Sequence, residues 1–282
     1  MIKFGPSGNS VSFALEGHKS TEEAALWCKN RDLDCYEYSF GQGIRLGAEK
    51  AKSIGEAFKK EGVELSVHAP YFINLANPEE EKAVNSFNYI LDSARFMKIM
   101  QGERIVFHPA SQGKEERKTA VSLTKDRIKI LRDLIYENGL EDMKFCPETM
   151  GKLGQIGTIE EITEFCKVDD CFLPCVDFGH VNAREQGSLK TEKDYLDRLE
   201  YMIENLGYEK MKNFHVHFSK SQYSAKGEIR HLTFEDEIYG PEFEPLAYAL
   251  NELKLEPKII CESAGTQAED AKYMKTVWQN LT

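Results

Sequence analysis

The sequence predicts a closed (β/α)8 barrel of the α/β class. Three observations lead there. Strand-like and helix-like runs alternate eight times, metal-type side chains collect where the strand-like runs end, and no Pro-, Gly- or Ser-rich linker divides the 282 residues. Alternating strands and helices imply a parallel sheet with helical crossovers, and eight such units imply closure rather than an open sheet. The whole chain, residues 1–282, reads as one barrel domain, a size such barrels routinely reach.

The first strand falls at residues 2–5. Ser20-Thr21-Glu22-Glu23 has the form of a capping box and opens a helix to about Asn30. The second strand is 35–39, with a helix near 46–62, and the third is 64–68. Val84, Phe87, Ile90, Leu91 and Ala94 recur at helical spacing within 79–100. Strand four spans 104–108, and the helix near 118–138 ends before Gly139, a C-cap signal. Strand five is 144–148. Thr158 with Glu160 and Glu161 opens a short helix to Lys167. Strand six is 172–177, followed by a helix at 191–206. Strand seven is 213–217, with a helix near 243–253. Strand eight is 259–262, and a helix at 268–278 completes the ring. Two connections, 178–190 and 218–242, are long for a compact barrel, and such loops commonly carry function.

Composition narrows the class. With 41% hydrophobic and 29% charged residues the chain can bury a full core. No stretch reaches the roughly 18 continuous apolar residues of a membrane helix, and Met1-Ile2-Lys3-Phe4-Gly5-Pro6 meets Gly and Pro too early for a signal peptide. Cysteines number seven, and Cys146, Cys175 and Cys261 fall inside apolar runs. They read as reduced, buried thiols of a cytoplasmic protein. Cys171 and Cys175 lack the second close pair of a zinc ribbon and read as core. A net charge of −11 argues against extensive contact with nucleic-acid backbone, but leaves room for bound cations and a local basic rim to hold one phosphate.

The chemistry-bearing residues track strand ends. His68 closes strand three, His108 strand four, Glu148 strand five, Asp177 strand six, His215 with His217 strand seven, and Glu262 strand eight. His180 and His231 lie in loops just downstream. Barrel active sites form on that face. His108 precedes Pro109 and Glu148 follows Pro147, and both prolines suit the end of a strand. His215 and His217 are two apart and share one side of their strand; His217 reads equally as a ligand or as a hydrogen-bond donor to one. Imidazole with carboxylate suits zinc, and also manganese or iron. A carboxylate such as Glu148 can bridge two cations, which clamp the attacking and leaving oxygens of a phosphodiester.

At this point the chain resembles a family. Val67-His68-Ala69-Pro70-Tyr71-Phe72-Ile73-Asn74-Leu75-Ala76 is similar to the signature of endonuclease IV, the zinc-dependent apurinic/apyrimidinic endonucleases within the xylose isomerase-like TIM barrels. Phe107-His108-Pro109-Ala110-Ser111, Cys175-Val176-Asp177-Phe178-Gly179-His180, His215 through Lys220, and Ile260-Cys261-Glu262-Ser263 resemble its further motifs, in order. The resemblance implies cleavage of damaged double-stranded DNA on the 5′ side of an abasic site, with no membrane and no obligate protein partner. It implies one zinc on His68, His108 and Glu148, and a second on Glu148, Asp177, His215 and Glu262. A third would use His180 and His231. It gives Tyr71 and Phe72 to a loop that enters DNA. Independently of the resemblance, Arg45, Lys220 and Arg230 lie in loops that follow strands. They read either as a basic rim on the substrate or, with the acidic residues of the same loops, as a solvated mixed surface. Arg230 or a third cation would neutralise charge at the phosphate.

The chain also departs from the pattern. Ile229 stands two residues before His231, where the family has an aspartate, and the interval from His215 to His231 is one residue longer, so Glu228 becomes the substitute. Thr149 follows Glu148 in place of an asparagine, and His217 replaces another. Two other functions stay open. The quartet Glu148, Asp177, His215 and Glu262 alone resembles the single-metal site of sugar isomerases and epimerases of related barrels. A non-catalytic descendant would bind damaged DNA or a sugar phosphate without turnover.

Overall fold

A computed structural model describes residues 1–281. Eight parallel strands form the barrel wall: β1 (Lys3–Pro6), β2 (Cys35–Ser39), β3 (Glu64–His68), β4 (Arg104–Phe107), β5 (Lys144–Pro147), β6 (Cys175–Asp177), β7 (His215–Phe218) and β8 (Lys258–Cys261). They hydrogen-bond as two four-stranded sheets, β2-β3-β4-β5 and β6-β7-β8-β1. Isolated parallel bridges, Ser7 with Glu37 and Glu148 with Cys175, close the two seams. Helices Thr21–Asn30, Ala48–Glu61, Glu80–Ile99, Arg117–Glu137, Ile159–Cys166, Glu192–Leu206, Phe243–Glu252 and Gln267–Leu281 follow the strands in turn.

Both seams have a cause in the sequence. Along β5 the backbone N–H groups of Phe145 and Thr149 donate to the Cys171 and Cys175 carbonyls. The alternate position between them is Pro147, which has no N–H, so the ladder to β6 breaks there. At the other seam a side chain on Gly5 would place its Cβ 1.8 Å from the Cys35 carbonyl oxygen, so β1 and β2 approach this closely only because residue 5 is glycine.

Alternation sorts the side chains. Phe4, Phe145, Val216 and Phe218 point outward into the layer beneath the helices, where Phe4 and Phe218 meet Phe243 edge-on. Ala120, Thr124, Ile128, Leu131 and Ile135 form the buried stripe of helix Arg117–Glu137 at 3- and 4-residue spacing. The Thr158 capping box is present: its hydroxyl accepts from the Glu161 N–H, and the Glu161 carboxylate accepts from the Thr158 N–H.

The two long connections are ordered rather than open. The first begins with helix Phe178–Arg184, started by Asp177, whose Oδ1 accepts from the His180 N–H at 2.8 Å. The second carries an antiparallel hairpin, Ser221–Ser224 with Gly227–His231. Short helices at Val11–Leu15 and Tyr208–Lys212, and a two-residue ribbon pairing Ala110–Ser111 with Gln155–Ile156, add to the predicted elements. Regular pairing in β6 starts at Cys175, just after Pro174, three residues later than the apolar run predicts. Among the described residues no helix is long and apolar enough to cross a membrane, and all seven cysteines are free and buried. Gly5→Ala is expected to cost at least about 1–3 kcal/mol of stability through overpacking; an unchanged urea midpoint would contradict the close seam.

Candidate metal centre

Each candidate ligand is delivered by the end of a barrel strand or the loop beyond it. His68 terminates β3, and its Nδ1 lies 2.7 Å from the Ala69 carbonyl oxygen. A proton on Nδ1 satisfies that carbonyl and leaves Nε2 free to face the cavity. Nε2 lies 3.1 Å from Glu148 Oε2, and His108 Nε2 lies 3.2 Å from the same oxygen. The other oxygen, Oε1, faces a different set: His217 Nδ1 and His180 Nδ1, each at 3.3 Å. His217 Nδ1 is also 3.4 Å from Glu262 Oε2.

Four groups of ligand-type atoms result, the atoms of each lying within 4.8 Å of one another; one of them, Cys175 with His215 and His217, lies deeper in the lumen, and three lie at the strand ends. Those three are His68, His108 and Glu148; then Glu148, Asp177, His217 and Glu262; and then Asp177, His180 and His231. The donor set fits divalent metal. Asp177 spends Oδ1 on the His180 amide, while its Oδ2 is buried with no hydrogen-bond partner. Such an orphan is costly unless something compensates it, and a cation shared with Glu148 and Glu262 would do so.

The electrostatics agree. Burial would raise the Glu148 carboxyl, but the His108 imidazole, with His180 and His217, holds it well below the usual carboxylate range. Burial pushes the Asp177 carboxyl up to about 6, against the pull of His180. Burial would lower His68, yet Glu148 raises it to about 9. The site thus holds excess negative charge that protons neutralise when metal does not.

The structure rearranges the sequence reading in several places. His217, not His215, joins Glu148, Asp177 and Glu262. His215 lies one layer deeper, beside Cys175 in the β6–β7 register and 3.2 Å from Glu37. Two residues on one strand face share a side but not a depth, and burial pushes the deeper His215 down to about 3. Glu37 of β2 escaped the sequence reading. It is fully buried, accepts from Ser66 Oγ at 2.8 Å and lies 2.9 Å from His217 Nε2. Burial would raise its carboxyl, but His217 and His215 keep it well below the ordinary range. Its signal was a charged residue in the lumen-facing phase of a strand.

The hairpin resolves the fate of Ile229. The pairing register slips between Gln222 and Tyr223, so β-strand Gly227–His231 carries one extra residue as a bulge. A bulge flips the faces beyond it. Ile229 therefore turns outward, 51% exposed, while the Glu228 side chain, 10% exposed, faces His180 Nε2 at 3.7 Å and His231 Nε2 at 3.9 Å. Ser219 Oγ sits 2.8 Å from His231 Nδ1, which leaves Nε2 for the cavity.

The predicted basic rim is only partly at the site. Arg230 is exposed and donates to Gln222 across the hairpin, so it does not line the cavity. Lys220 is buried and tied to the Asp236 carbonyl and Glu242. Arg45 borders a neighbouring cleft that shares Ser39 and Gly41 with the metal cavity. Tyr71 lines the cavity of about 380 Å³, while Phe72 packs edge-on against Tyr71 and Tyr89. Lys152 is the one lysine or arginine among the cavity's lining residues.

Comparison with known proteins places the chain. Residues 26–277 match the model of the xylose isomerase-like TIM barrel family, and the chain belongs to that family. An uncharacterized protein of Methanocaldococcus jannaschii is 30% identical over 275 residues, covering 98% of this chain and 96% of the relative. A probable endonuclease 4 of Mycoplasmoides gallisepticum is 28% identical over 181 residues, 57% of this chain; the match spans only 52% of that relative's length. Among solved structures, a D-tagatose 3-epimerase-like protein superposes with a TM-score of 0.70 at 19% identity, covering 99% of this chain and 98% of the other. The fold therefore hosts more than one chemistry, and function has to be argued from the site.

Glu228→Ala is expected to lower the metal content of the purified protein by one equivalent, while Ile229→Ala leaves it unchanged. Elemental analysis of the two variants decides between the residues.

Proposed function

We propose that the chain is a metal-dependent phosphodiester hydrolase, acting on DNA at abasic sites and using zinc. One observation carries this reading: Glu148 belongs to two different ligand groups, with His68 and His108 beside Oε2 in one, and with Asp177, Glu262 and His217, which faces Oε1, in the other. A single-metal site has no need of that arrangement, whereas two neighbouring cations would share such a carboxylate. The endonuclease names among the relatives support it, and the seven buried free thiols support a cytoplasmic location.

When bound, the cations supply an ionised water and neutralise charge on the phosphate. The remaining work falls to the protein. Glu148 would contribute to holding both cations, and at 1% exposure its carboxylate is shielded from bulk water. His68 and His108 line the cavity and His217 is buried behind it beside Glu148, so little reorganisation accompanies substrate binding. Lys152 takes the part the sequence reading gave to Arg230. It lines the cavity and meets the phosphate as a point charge. Tyr71, at the mouth, offers an aromatic face to the base-free gap.

A second reading rests on the group Glu148, Asp177, His217 and Glu262, which by itself completes a site for one cation, as an epimerase or isomerase needs. Metal stoichiometry separates the two. Two or three tightly held zinc ions accord with the hydrolase, and a single exchangeable manganese with the isomerase.

The hydrolase is tested on a duplex carrying one abasic analogue. Glu148→Ala is expected to lose the cations of both groups and to abolish cleavage; near-normal strand scission by this variant would overturn the mechanism. Lys152→Ala is expected to lower kcat/KM by about 10-fold or more, the worth of one charge-assisted contact. An unchanged value would remove Lys152 from the phosphate.

A further inference from the structure

Glu37 is the buried ionisable group that the proposed chemistry leaves unused. It sits in the middle of β2, fully buried, in a lumen where barrels ordinarily pack branched aliphatic side chains. A carboxylate there is unfavourable unless it is paired on all sides. Three side chains surround it. Ser66 of β3, in register with it, donates its hydroxyl to Oε2 at 2.8 Å. His215 Nε2 lies 3.2 Å from Oε2, and His217 Nε2 lies 2.9 Å from Oε1, contacts at ion-pair distance that are not aligned as hydrogen bonds.

The His217 ring thereby spans two environments. Its Nε2 faces Glu37, and its Nδ1 faces Glu148 Oε1 and Glu262 Oε2 at 3.3 and 3.4 Å. Glu148 and Glu262 would share a cation with Nδ1, whereas Glu37 stands outside the ligand groups. An imidazole proton is then best placed on Nε2, beside the carboxylate that no cation neutralises, which leaves the Nδ1 lone pair for the metal. His215, one layer down on β7, lies 3.2 Å from the other oxygen of Glu37 and flanks the carboxylate on that side.

We propose that Glu37 is a positioning residue: it holds the His217 ring with Nε2–H inward, so that Nδ1 is the atom offered to a cation shared with Glu148, Asp177 and Glu262. The inference rests on the metal reading above but adds to it a specific ligand atom and a tautomer. His68 and His180 work the other way round, each spending Nδ1 on a backbone carbonyl, Ala69 and Thr149, and turning Nε2 toward the cavity. Among the described residues His217 has no such carbonyl partner, and Glu37 of β2 stands beside its Nε2 instead.

The test uses the full chain labelled with 15N at histidine, with Glu37→Gln as the shape-preserving variant. In the wild type, long-range proton–nitrogen spectra should show His217 protonated at Nε2 without metal and zinc-bound at Nδ1 after loading. Glu37→Gln should shift His217 away from the Nε2–H form and weaken one zinc equivalent by about 10–100-fold, with the His68–His108 equivalent less affected. Coordination through Nε2 in the wild type overturns the inference without any variant having to fold. So does a Glu37→Gln protein whose His217 signals and zinc affinity match the wild type, and that result leaves the metal centre standing. A wild type that binds no zinc removes both readings together.

Discussion

Glu148 is one carboxylate engaged on two fronts inside a closed wall. It leaves β5 just after Pro147, where the ladder to β6 is already broken, and its two oxygens divide four imidazoles between them. A buried negative charge with no solvent access persists only when nitrogen donors or cations enclose it. That demand explains why histidines from β3, β4, β7 and the helix after β6 all converge at one height. Moving any of these strands by one residue would turn its ligand out of the lumen, so the register of the whole barrel is tied to this one group.

The lumen is polar well below the site. Strand alternation puts Glu37, Ser66, Cys175 and His215 in the layer beneath it. Near the other mouth, the buried Lys258 pairs with Glu64 at 3.2 Å. The apolar mass lies outside the strands instead, where Phe4, Phe218 and Phe243 pack between wall and helices. Stability and chemistry are thus separated radially: the outer shell holds the barrel together, and its axis is left for charged and ligating groups.

This separation decides what could be read from the sequence. Strand ends were legible because His68, His108, Asp177 and Glu262 each terminate an apolar run, and such a run stopping at a ligand-type residue marks a barrel strand that reaches the active-site face. Depth was not legible. His215 and His217 share a face, and which of them reaches the site depends on how far β7 is staggered against β8, a property of the closed barrel rather than of either strand. Glu37 was hidden for a related reason: its partners His215 and His217 lie about 180 residues further along the chain, and the short motif Tyr36-Glu37-Tyr38 carries no hint of them. Arg230 was misplaced because hairpin geometry, not charge, decides which way a side chain points.

The bulge at Ile229 has an evolutionary corollary. Along a paired arm the two faces trade places at every position, so adding or deleting a single residue exchanges the whole set of inward groups beyond that point. Here an aliphatic residue and an acid change roles with no alteration to His231 at the arm's end. Indels in such arms, more than point replacements, therefore offer these barrels a short route between donor sets, and hence between the ions and reactions they support.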